Sequence, residues 1–259
     1  MLAAGRAPIP FKTLRTDKYW VQPTITFLVL LAFIVYATWR AFENAYYYTT
    51  PLLSPFYSPC LSVNCVPGSS DFGQPIGAWF PFSPALIILA FPLGFRLTCY
   101  YYRKAYYRSF WFAPHACAVA EPHKQYSGET RFPLILQNSH RWFFYIGLIF
   151  NAILTFDAFI ALRDAEGEWG HMSVGTLVLA GNAALLWLYS LSCHSCRNVI
   201  GGRLKSFSKH PMQYKMWTFV SKLNARHPQF AWVSLIWVAM SDLYIRSVAT
   251  GAITNFYFF

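Results

Sequence analysis

Charge is what this chain has least of. Only 12% of its 259 residues are Asp, Glu, Lys or Arg, against roughly 25% in an ordinary soluble domain. That excludes a water-exposed globule, because apolar runs as long as those seen here would have too little charge to keep them in solution. No Gly-rich phosphate loop and no Ser-His-Asp nucleophile set is present, so phosphate cradling and acyl transfer have no motif to carry them. No RNA- or DNA-binding module is visible either, and nucleic acid is not an expected partner despite a net charge of +11. The stretch from Met1 to Lys18 is polar and lacks an apolar h-region, so a cleavable signal peptide is not expected. There is no internal repeat, and residues 1–259 read as one membrane-embedded domain.

Apolar residues fill the gap: 56% of the chain is hydrophobic and 20% aromatic. Five stretches approach the ~20 residues a helix needs to cross a bilayer. They run approximately over Pro23–Trp39, Phe82–Tyr102, Trp142–Leu162, Met172–Leu191 and Phe230–Thr250. The expected fold is an all-α bundle of five transmembrane helices. Pro92 should kink the second, which a membrane helix tolerates when neighbours satisfy the freed carbonyl. Trp20, Trp39, Trp79, Trp111, Trp142 and Trp169 lie near span ends, as in interfacial aromatic belts. All Lys and Arg except Arg40, Arg163 and Arg246 fall on the side of the N-terminus. The positive-inside rule then puts the N-terminus in the cytoplasm and the C-terminus outside, in a multi-pass plasma-membrane protein. The excess of positive charge is a topology signal. The outer connection Phe42–Pro81 is rich in Pro, Ser, Tyr and Gly; its Cys60 and Cys65, on an oxidising side, could pair as a disulfide.

Two His-x-Cys triplets carry the strongest chemical signal: His115-Ala116-Cys117 and His194-Ser195-Cys196. Each follows a hydrophobic span, and both are expected on the cytoplasmic side. Two imidazoles and two thiolates are the ligand set of a Rieske-type [2Fe–2S] centre, and also a tetrahedral zinc set. Pro114 before the first triplet and Gly201-Gly202 after the second allow loop-like presentation. In a regular helix, however, His194 and Cys196 would point to different sides, while Cys193 and Cys196 would share one; Cys193 is therefore a rival ligand. Haem is not expected, because a bis-His haem needs imidazoles at matching depth and no His lies in the middle of a span. Two carboxylates do fall within spans. Asp157 is near the outer end of the third span, where snorkelling is the simpler reading. Asp242 is deeper in the fifth, beside Ser241 and Tyr244, where an intramembrane acid pairs with a neighbouring helix or serves a function. The segment "QNSHRWFF", Gln137–Phe144, opens the third span with groups that can hydrogen-bond and stack on a polar ring head group.

The stretches "YYYRKAYYRSFWFAPHACAVAEP" (Tyr100–Pro122) and "CHSCRNVIGGRLKSFSKHP" (Cys193–Pro211), set on five spans, resemble the single membrane-anchor subunit of actinobacterial, mycobacterial-type succinate dehydrogenases. The resemblance implies a respiratory complex II. In it a flavoprotein subunit oxidises succinate, an iron–sulfur subunit relays electrons, and the anchor delivers them to a quinone, menaquinone or ubiquinone. It also implies a haem-free anchor with a membrane-embedded Rieske-type [2Fe–2S] cluster, held here by His115, Cys117, His194 and Cys196. Asn138-Ser139-His140-Arg141 is similar, with a shorter spacing, to the Ser-x-x-His-Arg quinone motif of other succinate dehydrogenase anchors. The expected quinone residues are Ser139, His140, Arg141 and Trp142 of that segment, with the intramembrane acid Asp242. The chain alone has no succinate site. The competing readings are a five-span scaffold or transporter with a structural zinc, and an anchor containing haem b.

Overall fold

The computed structural model describes residues 15–62, 70–76, 79–119 and 136–259. Eight helices are described: α1 (Val21–Glu43), α2 (Ala85–Leu97), α3 (Tyr100–Phe110), α4 (His140–Ile160), α5 (Val174–Leu191), α6 (His194–Gly201), α7 (Pro211–Asn224) and α8 (His227–Ala249). The outer connection adds short strands. Strand β1 (Tyr48–Thr49) runs antiparallel to β2 (Leu52–Leu53), and β3 (Cys60–Ser62) runs parallel to β4 (Asp71–Ile76). Close contacts divide the chain into two compact units, one of residues up to Val35 with Arg96–Ser139, the other of Tyr36–Phe95 with His140–Phe259.

Helices α1, α4 and α5 are long and apolar enough to cross a membrane, and α2 with α3 would make a fourth span. Large apolar side chains such as Ile25, Leu28, Ile149, Phe156 and Leu177 are exposed on these helices, as expected of surfaces whose solvent is lipid. α8 has the length, 23 residues, but Ser234, Ser241, Asp242 and Arg246 make it less apolar than those three. The expected second span is not one helix. Pro92 sits inside α2, yet the chain leaves helix later, at Thr98–Cys99, and restarts with Cys99 as the N-cap of α3. The two helices meet there at a bend of 86°.

In the first unit, Phe27 packs on Phe110 with ring centroids 4.8 Å apart, and Arg96 donates to Tyr102 Oη at 2.6 Å. The second unit holds the main core. Ser173 caps α5: its hydroxyl accepts from Thr176 N and its own N–H donates to Thr176 Oγ1, both at 3.1 Å. This reciprocal arrangement satisfies two donors at a helix start. Leu52 of β2 inserts between the helices and is fully buried with Ala158, Ala161, Leu179 and Ile245. Gly175 makes room for it, since a Cβ there would lie 2.3 Å from Leu52 Cδ1.

A buried ionic cluster ties the outer connection to α1 and α8. Arg40 and Asp242 are both fully buried, with Nε donating to Oδ2 at 2.7 Å and Nη2 to Oδ1 at 3.1 Å. Tyr36 Oη donates to the same carboxylate at 2.5 Å, and Ser54 Oγ donates to its other oxygen. Arg40 also bonds Glu43, which accepts from Arg246 Nη2 at 2.7 Å. The Arg40 guanidinium lies 4.2 Å from the Tyr47 ring centroid. Burial pushes the Tyr47 hydroxyl up to about 12, so it stays protonated and donates to the Arg40 carbonyl. Asp157 is likewise buried, not snorkelling: Ser58 Oγ donates to it, and Ser70 Oγ lies 3.2 Å from Ser58 Oγ. Cys60, between those serines, is disulfide-bonded; its expected partner Cys65 lies outside the described residues.

Removing one member of a desolvated pair strands its partner, which costs about 3–5 kcal/mol. Arg40→Met or Asp242→Leu alone should therefore cost the purified protein much of its thermal stability. The double variant should recover a substantial part of the loss, as measured by melting in a double-mutant cycle. Equal and additive losses would show that the two residues act separately.

Candidate functional site at the basic end of the bundle

The ends of α2, α4, α5 and the start of α8 meet where basic residues are dense. Four rings form a continuous series there. His140 stacks on Phe95 with centroids 5.0 Å apart and 16° between planes. Phe95 meets Tyr189 edge-on at 5.3 Å, and Tyr189 stacks on His227 at 5.1 Å and 12°. Both imidazoles are buried. His140 Nε2 lies 3.0 Å from Cys193 Sγ, and His227 Nδ1 lies 2.8 Å from Ser192 Oγ. Asn224 Nδ2 donates to the Ser192 carbonyl at 2.7 Å, closing the end of the site. Two imidazoles at the polar end of an apolar bundle can donate to the carbonyl oxygens of a flat ring ligand, or accept from its hydroxyls, with aromatic faces to stack on it.

The expected residues divide differently from the sequence reading. His140 is central to the site. Ser139 sits in the turn just before α4, its hydroxyl donating to the Leu136 carbonyl at 2.5 Å. Arg141 and Trp142 are exposed, as for an interface anchor. Asp242 does not join them. It is 15 positions beyond His227 on α8, a rise of about 22 Å, and it belongs to the Arg40 cluster instead. The reason is electrostatic: a buried carboxylate takes the nearest guanidinium, and Arg40 reaches it.

The two triplets lie in different units. After α3 ends at Phe110 the chain turns without helix, and His115 sits against Tyr19 (5.5 Å, 89°) and Phe112 (5.0 Å). His115 Nδ1 is buried and has no hydrogen-bond partner among the described residues. Cys117 is exposed, and its carbonyl accepts from Arg15 Nη1 at 2.9 Å. In the second triplet Cys193 is the N-cap of α6, its sulfur accepting from Ser195 N at 3.4 Å. That cap puts His194 and Cys196 on opposite sides of the helix, the imidazole exposed and the thiol buried. Burial pushes the Cys196 thiol up. Among the described residues no three His, Cys, Asp or Glu side chains gather into a metal-binding group. The donor chemistry suits a [2Fe–2S] cluster and His115 has a free nitrogen. As arranged, α6 nevertheless does not offer His194 and Cys196 to one cluster.

The sequence reading missed His227, Tyr189 and the pairing of His140 with Cys193. A signal for the last existed: Cys193 directly follows the fourth span and His140 directly precedes the third, so both thiol and imidazole fall at one end of adjacent antiparallel helices.

The fold and this site define a multi-pass helical membrane protein with buried imidazoles at one end. The model of the family described as actinobacterial succinate dehydrogenase subunit SdhC matches residues 21–251, and the chain belongs to that family. It is thus a plasma-membrane subunit of an oxidoreductase whose catalytic succinate site lies in another polypeptide. A chain of the structure titled "Mycobacterium smegmatis Sdh1 complex in the apo form" is similar over 99% of this chain and 97% of that one, with 54% identity and a TM-score of 0.88. No curated protein matches the chain.

Cys193 and Cys196 should resist iodoacetamide in the intact protein, because both are buried. His140→Ala should uncover Cys193 and leave Cys196 shielded. Mass spectrometry of the labelled peptides reads both rates; unchanged protection of Cys193 would show that His140 is not its cover.

Proposed function

We propose that this chain is the anchor through which a succinate dehydrogenase complex passes electrons to a quinone, menaquinone or ubiquinone, at the basic end of the bundle. Its partners are a flavoprotein subunit, which oxidises succinate, and an iron–sulfur subunit, which docks on the basic, aromatic face and hands electrons to the anchor. The observation that carries the reading is the ring series His140–Phe95–Tyr189–His227, in a chain of this family. Reducing a quinone takes two electrons and two protons, and imidazoles in hydrogen-bond reach of its carbonyls can supply protons where the charge develops. The orientation, N-terminus in the cytoplasm and C-terminus outside after five spans, is supported by the segregation of Lys and Arg.

Removing a general acid lowers a rate by about 10²–10⁴-fold. His140→Ala with His227→Ala should reduce quinone turnover on that scale and leave succinate oxidation by a soluble artificial acceptor unchanged, because the flavin lies upstream. Full quinone turnover in the assembled double variant would sink the proposal.

The Rieske-type [2Fe–2S] cluster is a separate proposal, resting on the donor set His115, Cys117, His194 and Cys196 and requiring α6 to turn. Bound, it would supply a one-electron carrier of raised potential. Two irons per anchor, a paramagnetic signal on reduction and no haem absorption are expected in the purified complex, with Cys117 resisting alkylation until the iron is chelated. Zinc in place of iron would favour the structural-metal reading, since zinc has no redox chemistry.

A further inference from the structure

The helix α7 has two faces, and only one is accounted for. One face docks on α6. Gln213 Nε2 donates to the Ile200 carbonyl at 2.5 Å, Arg197 Nε donates to Ser221 Oγ at 3.0 Å, and Val220 is buried. Trp217 approaches Gly201 so closely that a Cβ there would lie 2.1 Å from its ring. A second face, about 120° round the helix, carries Met212, Met216 and Phe219, at helical spacing and exposed by 71%, 52% and 60%. At 100° per residue these three fall within a stripe about 60° wide, and Lys215 and Lys222 run along one flank of it.

Two observations say what covers that stripe. The first is depth. α5 has 18 residues, so it is about 27 Å long and matches the ~30 Å hydrocarbon core. The hydrogen bond from Asn224 to the Ser192 carbonyl, one residue past the end of α5, pins the last turn of α7 at the level where that span leaves the membrane. α7 is therefore held at the bilayer surface. The second is charge. From Glu168 to Asp242 the sequence contains no acidic residue. Arg203, Lys205, Lys209, Lys215, Lys222 and Arg226 are all exposed in that interval. A helix with an apolar stripe, a lysine flank and no compensating acid has the pattern of one lying in the plane of the interface, its apolar side chains among the upper acyl carbons and its lysines at anionic head groups.

We propose that α7 is an in-plane helix that binds anionic phospholipid, with Met212, Met216 and Phe219 inserted and Lys215 and Lys222 paired to phosphate. This goes beyond electron transfer and holds whether or not the quinone reading does. The test uses the complete complex with its partner subunits, in nanodiscs of phosphatidylglycerol or of phosphatidylcholine, with photoreactive benzoylphenylalanine placed at position 216. Irradiation should give a phospholipid adduct, several-fold more abundant with phosphatidylglycerol. The double substitution Lys215→Gln, Lys222→Gln should abolish that preference while the adduct itself remains. Crosslinking to a polypeptide, whether the iron–sulfur subunit or a second copy of this chain, would overturn the proposal, as would the absence of any adduct. Native mass spectrometry of the complex without the photoreactive residue gives an independent reading. Anionic lipid should be retained after delipidation and lost in the double variant; equal retention in both overturns the assignment.

Discussion

A guanidinium and a carboxylate taken out of water together organise the part of this protein that surrounds the Phe42–Pro81 connection. Arg40 and Asp242 each carry a desolvation cost of several kcal/mol. The cost is offset because the pairing is two-pronged and Tyr36 and Ser54 donate to the same carboxylate. Ser54 belongs to the outer connection, so the ionic pair fixes that connection against α1 and α8. Leu52, two residues earlier, is thereby placed over Gly175, and the apolar core of α4, α5 and α8 closes around it. Glu43 and Arg246 complete the cluster from the rim.

The other end is built on aromatic stacking instead of ion pairs. His140 and His227 are buried and rest on ring faces. Stacking, together with the contacts of His140 to Cys193 and of His227 to Ser192, holds their orientation. The two ends therefore differ in kind. One is a saturated ionic network; the other is a series of stacked rings that includes two imidazoles.

Much of the fold was legible in the sequence because a bilayer imposes length and apolarity. α1, α4, α5 and α8 fall within a few residues of the expected spans, and Ser173 marks the start of α5 by ordinary capping chemistry. Other features were hidden for physical reasons. The break at Thr98–Cys99 was masked by the apolar run before it. α7 lies in what read as a basic connection, since an in-plane helix shows neither a spanning run nor an acidic face. Asp242 was placed with His140 by residue type; only the fold shows that Arg40, remote in sequence, is the group beside it. The opposing directions of His194 and Cys196 were foreseen as the consequence of a helix, and Cys193, acting as cap, is what makes that helix start there.

The membrane carries a voltage, and any net charge fixed within it is worth about 2.3 kcal/mol per 100 mV across the full thickness. Arg40 and Arg246 sum with Glu43 and Asp242 to zero. A quartet of zero net charge leaves the field only its dipole to act on. The fastening of that connection therefore responds to the membrane field only through a dipole, which couples far more weakly than a bare charge would.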